Sequence, residues 1–247
     1  MDFKGKNIIV TGGAGGIGRE VAKGIVNGGG KVIIIDINKN AADEVISELG
    51  KENCEAYMVD LSNPSEIREV FGGICKKYGY IHGLANVAGI VSTKKFLDTT
   101  QEEWDKVLAI NLTAMYAAIS VVYPNMRDNG GGHIVNVSSI AAKVGGGLLG
   151  TCAYATSKAG VIGLTLAIAK EGGKYNINCT GVCPGYTKTA MTSIMTPEQS
   201  KNSLSLIPLN RTAKPYEIAN VILFLLSDLS SFVTGEIIDA DGGVTKD

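Results

Sequence analysis

The sequence predicts an α/β protein built on a doubly wound parallel sheet of about seven strands, with helices on both faces. Three observations predict this fold. Short β-branched runs alternate with segments of helical periodicity along the 247 residues, as expected when crossover helices join parallel strands. The strand-like runs are apolar on both faces, which is typical of a sheet covered on both sides. The length suits one large domain, and neither a linker nor an internal repeat divides it, so residues 1–247 are interpreted as a single domain.

Each element is predicted from its own residue pattern. Strands are predicted at short β-branched and apolar runs, namely Lys6–Thr11, Lys31–Asp36, Cys54–Asp60, Ile81–Asn86, Gly132–Ser138, Asn176–Val182 and Gly235–Asp239. Helices are predicted where apolar residues recur at helical spacing, as Val21 and Ile25 do. They cover Ile17–Asn27, Ala41–Leu49, a segment from 62–64 to about Tyr78, a long segment from Thr100 to about Met126, Tyr154–Lys170 and Pro215–Leu226.

Several helix ends have a local cause in the sequence. Asn63 and Pro64 are typical of the first positions of a helix. Thr100 is a suitable cap for the long helix that follows it. Gly50 comes directly after Leu49 and is typical of a helix C-terminus.

Composition argues against several classes of partner. The formal net charge is -1. Proteins that bind nucleic acid or an anionic membrane usually present a basic surface, so this charge gives no reason to expect either partner. The N-terminus lacks the apolar core of a signal peptide, and the apolar runs are interpreted as too short to span a bilayer. The five cysteines contain no C-x-x-C pair and are interpreted as core residues in a reducing compartment. We therefore expect a cytoplasmic protein with no metal, no nucleic acid partner and no membrane partner.

A glycine-rich loop lies between the first strand and the first helix. It runs from Thr11 to Gly18 as T-G-G-A-G-G-I-G. Glycines in this position let the backbone turn sharply and approach a pyrophosphate, which then meets the N–H groups at the start of the helix. The order of strand, loop, helix and second strand makes a dinucleotide site the favoured interpretation.

An acid follows this loop at the end of the second strand. Asp36 stands eighteen residues after Gly18, where a carboxylate can accept hydrogen bonds from the adenosine ribose. The same carboxylate would repel a 2′-phosphate, and Gly15 leaves no basic side chain in the loop to bind one. The sequence therefore predicts NAD rather than NADP as the cofactor.

The spacing T-G-x-x-x-G-x-G, formed by Thr11, Gly12, Gly16 and Gly18, resembles that of the short-chain dehydrogenase/reductase family. Further landmarks of that family follow in order along nearly the whole chain. They are Asp60-Leu61, the segment Asn86-Val87-Ala88-Gly89 with Val87 in place of a second Asn, the Y-x-x-x-K element from Tyr154 to Lys158, and the P-G-x-x-x-T stretch from Pro184 to Thr189. The resemblance implies a single-domain Rossmann fold and an enzyme that exchanges a hydride between NAD and a secondary alcohol or its ketone.

The chemistry is assigned partly from spacing and partly from the resemblance. Tyr154 and Lys158 are four residues apart on a predicted helix, so they share a face, and a nearby cation favours the phenolate form of Tyr154. By resemblance Tyr154 is the acid/base, Ser139 holds the substrate oxygen and Asn111 distorts its helix and supports a proton relay. Ser138 remains the alternative to Ser139, because the gap to Tyr154, which includes 143–151, is longer than is common in the family.

The glycine-rich loop, the carboxylate of Asp36 and the family resemblance together imply a set of residues that contact the cofactor. They are Thr11, Gly12, Gly16, Ile17, Gly18, Asp36, Asp60, Leu61, Asn86, Ala88, Gly89, Tyr154, Lys158, Pro184, Gly185, Thr187 and Thr189. Residues from about 186 to 207 are expected to form a mobile substrate lid, and the resemblance implies a homotetramer.

Other functions remain open at this level. One is an NADPH-dependent 3-oxoacyl thioester reductase, against which Asp36 argues because biosynthetic reduction usually draws on NADPH. Another is a nucleotide-binding sensor without catalysis, against which the intact Ser139, Tyr154 and Lys158 argue. The expected lid carries few charges, which favours a neutral or mildly anionic small molecule as the substrate.

Overall fold

The computed structural model describes residues 1–146, 151–193 and 196–245. In this part of the chain seven strands form one parallel sheet in the order β3-β2-β1-β4-β5-β6-β7. The strands are β1 Asn7–Thr11, β2 Lys31–Asp36, β3 Cys54–Met58, β4 Gly83–Asn86, β5 Gly132–Val137, β6 Ile177–Pro184 and β7 Ile237–Ala240. The prediction of a doubly wound, Rossmann-type parallel sheet is confirmed.

Helices cover both faces of the sheet. They are α1 Gly16–Asn27, α2 Lys39–Leu49, α3 Pro64–Tyr78, α4 Gln101–Leu108, α5 Ala114–Asp128, α6 Ala141–Val144, α7 Cys152–Gly172, α8 Pro197–Ser205 and α9 Pro215–Leu226. One apolar core joins the sheet to α1 and α9, through side chains such as Ile25 and Ile222. The other joins it to α3, α5 and α7, through side chains such as Phe71 and Val122. The apolar strands are therefore buried on both sides, as their sequences predict.

The caps named from the sequence begin and end their helices as expected. The Asn63 side chain accepts hydrogen bonds from the amides of Ser65 and Glu66 at the start of α3, and Thr100 accepts one from the amide of Glu103 at the start of α4. Gly50 ends α2 with a φ of 85°, a backbone conformation that favours glycine.

The long helix expected from Thr100 to Met126 is divided into three parts. α4 ends at Leu108, a π-helical turn covers Ala109–Thr113, and α5 begins at Ala114. Asn111 lies inside the π turn, so the helix distortion expected around this residue is present. A single π-helical turn changes the direction in which a side chain projects without ending the helix.

Among the described residues, two helical stretches are longer and more apolar than the sequence analysis predicts. By length and composition alone, Gln101–Asp128 and Cys152–Tyr175 could cross a membrane. The expectation that no apolar run reaches that length is therefore wrong, because α4, the π turn and α5 continue as one helical stretch. A core helix passes the same test, and α5 and α7 both pack against the sheet.

Other differences lie at strand ends and in the loops. β3 ends at Met58 rather than Asp60, because the Asp60 carboxylate instead accepts a hydrogen bond from the Ser62 amide in a turn. The short helix α6 and the helix α8 were not predicted. The expected lid at 186–207 contains α8, and its residues 194–195 lie outside the described residues, as do 147–150 of the loop before α7.

Candidate active site

A cleft of about 920 Å³ opens at the carboxyl ends of the strands. Its described lining comes from the loop after β1, the ends of β2, β4, β5 and β6, and the first turns of α7. β1 pairs with β2 on one side and β4 on the other, so the strand order reverses here. Doubly wound sheets bind their ligands at such a switch point.

The glycine loop forms one end of this cleft. α1 begins at Gly16, and its N-cap Gly15 provides no side-chain hydrogen bond, so the first amides of the helix remain available to an anion. A Cβ atom on Gly18 would lie 2.1 Å from the Gly12 carbonyl oxygen. Only glycine therefore permits this close packing, and the loop fits the pyrophosphate of a dinucleotide.

Asp36 ends β2 beside the loop and lines the cleft. One carboxylate oxygen accepts from the Ala14 amide at 3.0 Å, and the other accepts from the amides of Ile37 and Asn38 at 2.8 and 3.0 Å. These bonds fix the carboxylate where the sequence placed it, at the end of the second strand. Two cations of α1 and α2 are engaged elsewhere, as Arg19 pairs with Glu48 at 2.8 Å and Lys39 with Asp43 at 2.6 Å.

Polar side chains fasten the middle of the sheet. The Thr11 hydroxyl accepts from the amides of Val87 and Ala88 at 3.1 and 3.2 Å, which joins the end of β1 to the segment after β4. The Asn86 side-chain nitrogen donates to the Asn136 side-chain oxygen at 2.8 Å. The Asn136 side-chain nitrogen in turn donates to the Thr165 hydroxyl at 3.0 Å. These three side chains are buried.

Neither Asn136 nor Thr165 was singled out from the sequence. The available signal was an Asn in the centre of the apolar strand GHIVNV, since a buried amide needs a partner. The change of the second Asn of the resembling motif to Val87 leaves the Asn86 contact intact.

Ser139 and Tyr154 meet in the centre of the cleft. The Ser139 side chain lies near enough to the Tyr154 phenol to act on its pKa by hydrogen bonding, and the Ser139 oxygen accepts from the Ala141 amide at 3.1 Å. The alternative, Ser138, is buried, and its hydroxyl donates to the Lys158 carbonyl oxygen at 2.7 Å. Ser139 is therefore the serine beside the phenol, despite the longer gap to Tyr154.

Lys158 lies below the Tyr154 ring. Its ammonium is buried, lies 5.8 Å from the ring centroid and donates to the Val137 carbonyl oxygen at 2.8 Å. Burial lowers the pKa of Lys158 to about 8.

The lowering of the Tyr154 pKa expected from this cation is not found. Burial holds the pKa of the Tyr154 phenol above its ordinary value of 10, and the Ser139 hydrogen bond offsets only part of that effect. The physical reason is that burial penalises the phenolate, and Lys158 is itself buried and directed to a backbone carbonyl.

Asn111 holds the segment that leads from β4 into the cleft. Its side-chain oxygen accepts from the Ile90 amide at 2.8 Å, while its nitrogen donates to the Ile90 carbonyl at 2.9 Å and to the Ser157 hydroxyl at 3.1 Å. A Cβ atom on Gly89 would lie 3.2 Å from the Asn111 oxygen and 3.3 Å from the Lys158 nitrogen. The structure therefore brings Asn111 close to Lys158, as expected.

The remaining predicted contacts lie along the same cleft. Gly12, Gly16, Ile17, Gly18, Asp60, Leu61, Ala88, Gly89, Pro184, Gly185, Thr187 and Thr189 all line it. The Asp60 carboxylate accepts from the Ser62 amide, which lowers the pKa of Asp60.

Part of the described lining of the cleft is apolar. This apolar lining includes Met191, Leu206 and Ile207 of the expected lid, and Ile90, Val91 and Val144, which were not predicted from the sequence. The cationic residues of the described lining are Lys106 and Lys158. Lys106 acts electrostatically on Asp60, which puts it at the nucleotide end and leaves Lys158 as the other cation of the described lining.

Comparison with known proteins agrees with this geometry. A family profile described as enoyl-(acyl carrier protein) reductase matches residues 12–245. A 3-oxoacyl-(acyl-carrier-protein) reductase of Thermotoga maritima is 39% identical over 248 residues, covering 99% of both chains. An uncharacterized short-chain type dehydrogenase/reductase of Sinorhizobium fredii is 36% identical over 250 residues, also covering 99% of both chains.

A solved structure extends the comparison. A protein of Beutenbergia cavernae described as a putative NAD(P)-dependent gluconate 5-dehydrogenase, with bound NADP at low occupancy, superposes with a TM-score of 0.92. It is 30% identical, and the match covers 98% of both chains.

Proposed function

Since this chain belongs to the short-chain dehydrogenase/reductase family of nicotinamide-dependent oxidoreductases, we propose that it reduces the keto group of a 3-oxoacyl thioester with NADH. The observation that carries the proposal is the convergence of Ser139, Tyr154 and Lys158 in the cleft that also contains the glycine loop and Asp36, with the Lys158 ammonium 5.8 Å from the centroid of the Tyr154 ring. This arrangement argues against a nucleotide sensor without catalysis.

The three side chains have separate roles in the reaction. When bound, the reduced nicotinamide supplies a hydride to the carbonyl carbon. Ser139 donates a hydrogen bond to the carbonyl oxygen and stabilises the charge that develops there. Tyr154 donates the proton to the same oxygen.

The raised pKa of Tyr154 keeps the phenol protonated, as a proton donor in ketone reduction requires. A proton donor must be protonated at the start of the reaction, and burial holds the pKa of Tyr154 above 10. Lys158 supplies a cation below the ring as the phenolate forms, and Asn111 holds the neighbouring backbone in place.

The choice of NADH rests on Asp36. Its carboxylate is held by three backbone amides at the end of β2, where it can bind the ribose hydroxyls and repel a 2′-phosphate. NADPH is the alternative, and the neighbour crystallised with NADP shows that this fold can accept the phosphate in another chain.

Two observations support the substrate class. Relatives that are 39%, 36% and 32% identical are named 3-oxoacyl-(acyl-carrier-protein) reductases. The apolar side chains in the described lining of the cleft suit the uncharged chain of an acyl thioester. A sugar acid such as gluconate is a second candidate from the solved neighbour, but its carboxylate would need a cation that the described apolar walls do not offer.

The test is a steady-state assay of ketone reduction with NADH and with NADPH. We expect a 3-oxoacyl thioester to be reduced with a kcat/KM at least about tenfold higher with NADH than with NADPH. Reduction of small hydroxy-ketones or sugar acids alone would contradict the substrate class, and no turnover of any ketone would contradict the enzyme assignment.

We also propose that the protein is a cytoplasmic homotetramer. Tyr116 on α5 and Leu166 on α7 are exposed apolar side chains on the two long helices, and the five cysteines are free, as is typical of a reducing compartment. Sedimentation equilibrium would contradict the assembly if the protein remained a monomer.

A further inference from the structure

A hydrogen-bonded bridge connects the starts of α4 and α7 through the segment that follows β4. We call Ser92, Glu103 and Thr151 the Ser92 bridge. The Ser92 hydroxyl donates to a Glu103 carboxylate oxygen at 2.7 Å. The Ser92 carbonyl oxygen accepts from the Thr151 amide at 3.1 Å. Ser92 is buried with 3% of its surface exposed, so this one residue ties two helix starts together away from solvent.

The bridge stands directly beside the candidate active site. Ile90 and Val91, which precede Ser92, line the cleft. Thr151 is the N-cap of α7, three residues before Tyr154. A shift of Ser92 would therefore move both a wall of the cleft and the helix turn that carries the phenol.

The Glu103 carboxylate does not form the capping-box hydrogen bond that its position in the sequence predicts. Thr100-x-x-Glu103 is the sequence of a capping box, in which the carboxylate would return to the N-cap amide. Thr100 does accept from the Glu103 amide, but the carboxylate bonds the Ser92 hydroxyl instead. A hydrogen bond to a charged acceptor is stronger than one between neutral groups, which makes Glu103 the anchor of the bridge.

A second link strengthens the same connection. The other carboxylate oxygen of Glu103 lies 3.6 Å from the Lys94 ammonium. The Lys94 carbonyl accepts a hydrogen bond from the Thr151 hydroxyl. The segment 92–94 is therefore held on one side by α4 and on the other by α7.

We propose that Glu103 is a positioning residue for ketone reduction, holding Ser92 so that the wall at Ile90–Val91 and the start of α7 present the substrate carbonyl to Tyr154. This inference rests on the proposed function. Asn111 holds the Ile90 backbone through two hydrogen bonds, and the Ser92 bridge provides a second fixed point two residues later. Misplacing a reacting group by about 1 Å can lower a rate by about a hundredfold.

The experiment compares Glu103→Ala, which removes the acceptor, with Glu103→Gln, which keeps an acceptor oxygen and removes the charge. Glu102→Ala is the matched control, because Glu102 is an exposed acid in the same first helical turn. We expect Glu103→Ala to lower kcat/KM for the ketone about tenfold or more, with the Kd of NADH unchanged within about twofold. Glu103→Gln should retain activity within about threefold, and Glu102→Ala should match the unmodified protein.

Hydrogen exchange provides a readout that needs no ketone. The Thr151 amide should exchange faster in Glu103→Ala than in Glu103→Gln or Glu102→Ala, because the Ser92 carbonyl that binds it loses its fixed position. Ser92→Ala should also speed the exchange of the Thr151 amide, and it replaces Glu103→Ala in the experiment if that variant fails to fold.

Two results would overturn the inference. Activity and exchange in Glu103→Ala that match Glu102→Ala would show that the bridge positions nothing. An equal loss of stability, NADH binding and activity in Glu103→Ala and Glu103→Gln would assign Glu103 a purely structural role. If no ketone were reduced by the unmodified protein, the proposed function would fail, while the exchange result would still decide whether the bridge exists.

Discussion

Replacing Asp36 tests the cofactor preference at the residue from which it was predicted. Two like unit charges about 4 Å apart repel by about 1 kcal/mol in bulk water and about 4 kcal/mol at the effective dielectric of a protein surface. Since 1.4 kcal/mol is a factor of ten in Kd, removing the carboxylate should narrow the preference for NADH over NADPH by about fivefold to several hundredfold.

Two variants separate the charge of Asp36 from its hydrogen bonds. Asp36→Asn keeps an oxygen that can accept from the amides of Ile37 and Asn38, whereas Asp36→Ala removes every bond that the carboxylate makes. Because the repulsion comes from charge, both variants should narrow the preference for NADH over NADPH. Asp36→Ala should also weaken the binding of NADH.

The assay is a fluorescence titration of each variant with NADH and NADPH at one ionic strength, because salt screens the repulsion. Glu69→Ala, which removes an exposed acid from α3, controls for the change in net charge. A ratio of the two Kd values that stays within about twofold of the unmodified protein in both Asp36 variants would refute the reasoning.

Three further predictions concern the loop and the catalytic groups. Ser139→Ala should lower kcat by about a hundredfold, whereas Ser138→Ala should mainly lower the free energy of unfolding, by about 1 kcal/mol; equal kcat values for the two variants would contradict the assignment of Ser139. Burial lowers the pKa of Lys158 from 10.5 to about 8, so between these pH values the unfolded chain binds more protons and the free energy of unfolding rises with pH. Urea titrations should show that Lys158→Met loses this rise, which amounts to at most about 3 kcal/mol; an identical slope in both proteins would contradict it. Gly18→Ala puts a Cβ atom 2.1 Å from the Gly12 carbonyl oxygen and should weaken NADH more than tenfold, which a binding titration would check and an unchanged Kd would contradict.

Most of the sheet was predictable because each strand carries its own signal. Lys31–Asp36 and Pro215–Leu226 have the bounds that their apolar runs predict. Errors arose where a side chain ended an element, as Asp60 does beyond β3. α6 has four residues, too few for helical periodicity to appear.

The site was predictable to the extent that its residues are close in sequence. The glycine loop and the Tyr154–Lys158 pair each lie within one loop or one helix, so spacing alone puts their members together. The partners of Asn86 and Ser92 come from other elements, respectively β5 and α4. Such pairs depend on how the elements pack, which no local pattern contains.

The direction of the Tyr154 pKa shift shows the same limit. The sequence indicates a cation four residues away, which favours the phenolate. The structure adds the burial of the phenol, which favours the neutral form and is the larger effect. Burial is a property of the packed fold, so this result could not be derived from spacing.

The most direct test of the central claim, that Tyr154 transfers the proton in a nicotinamide-dependent reduction, is turnover and NADH binding by Tyr154→Phe. The substitution removes one oxygen from a side chain at the start of α7 and keeps the ring that lies over Lys158. We predict that the variant binds NADH with a Kd within about threefold of the unmodified protein and loses at least about a thousandfold in kcat. Reduction of the ketone at a tenth or more of the normal rate would contradict the account, because the proton would then come from another group.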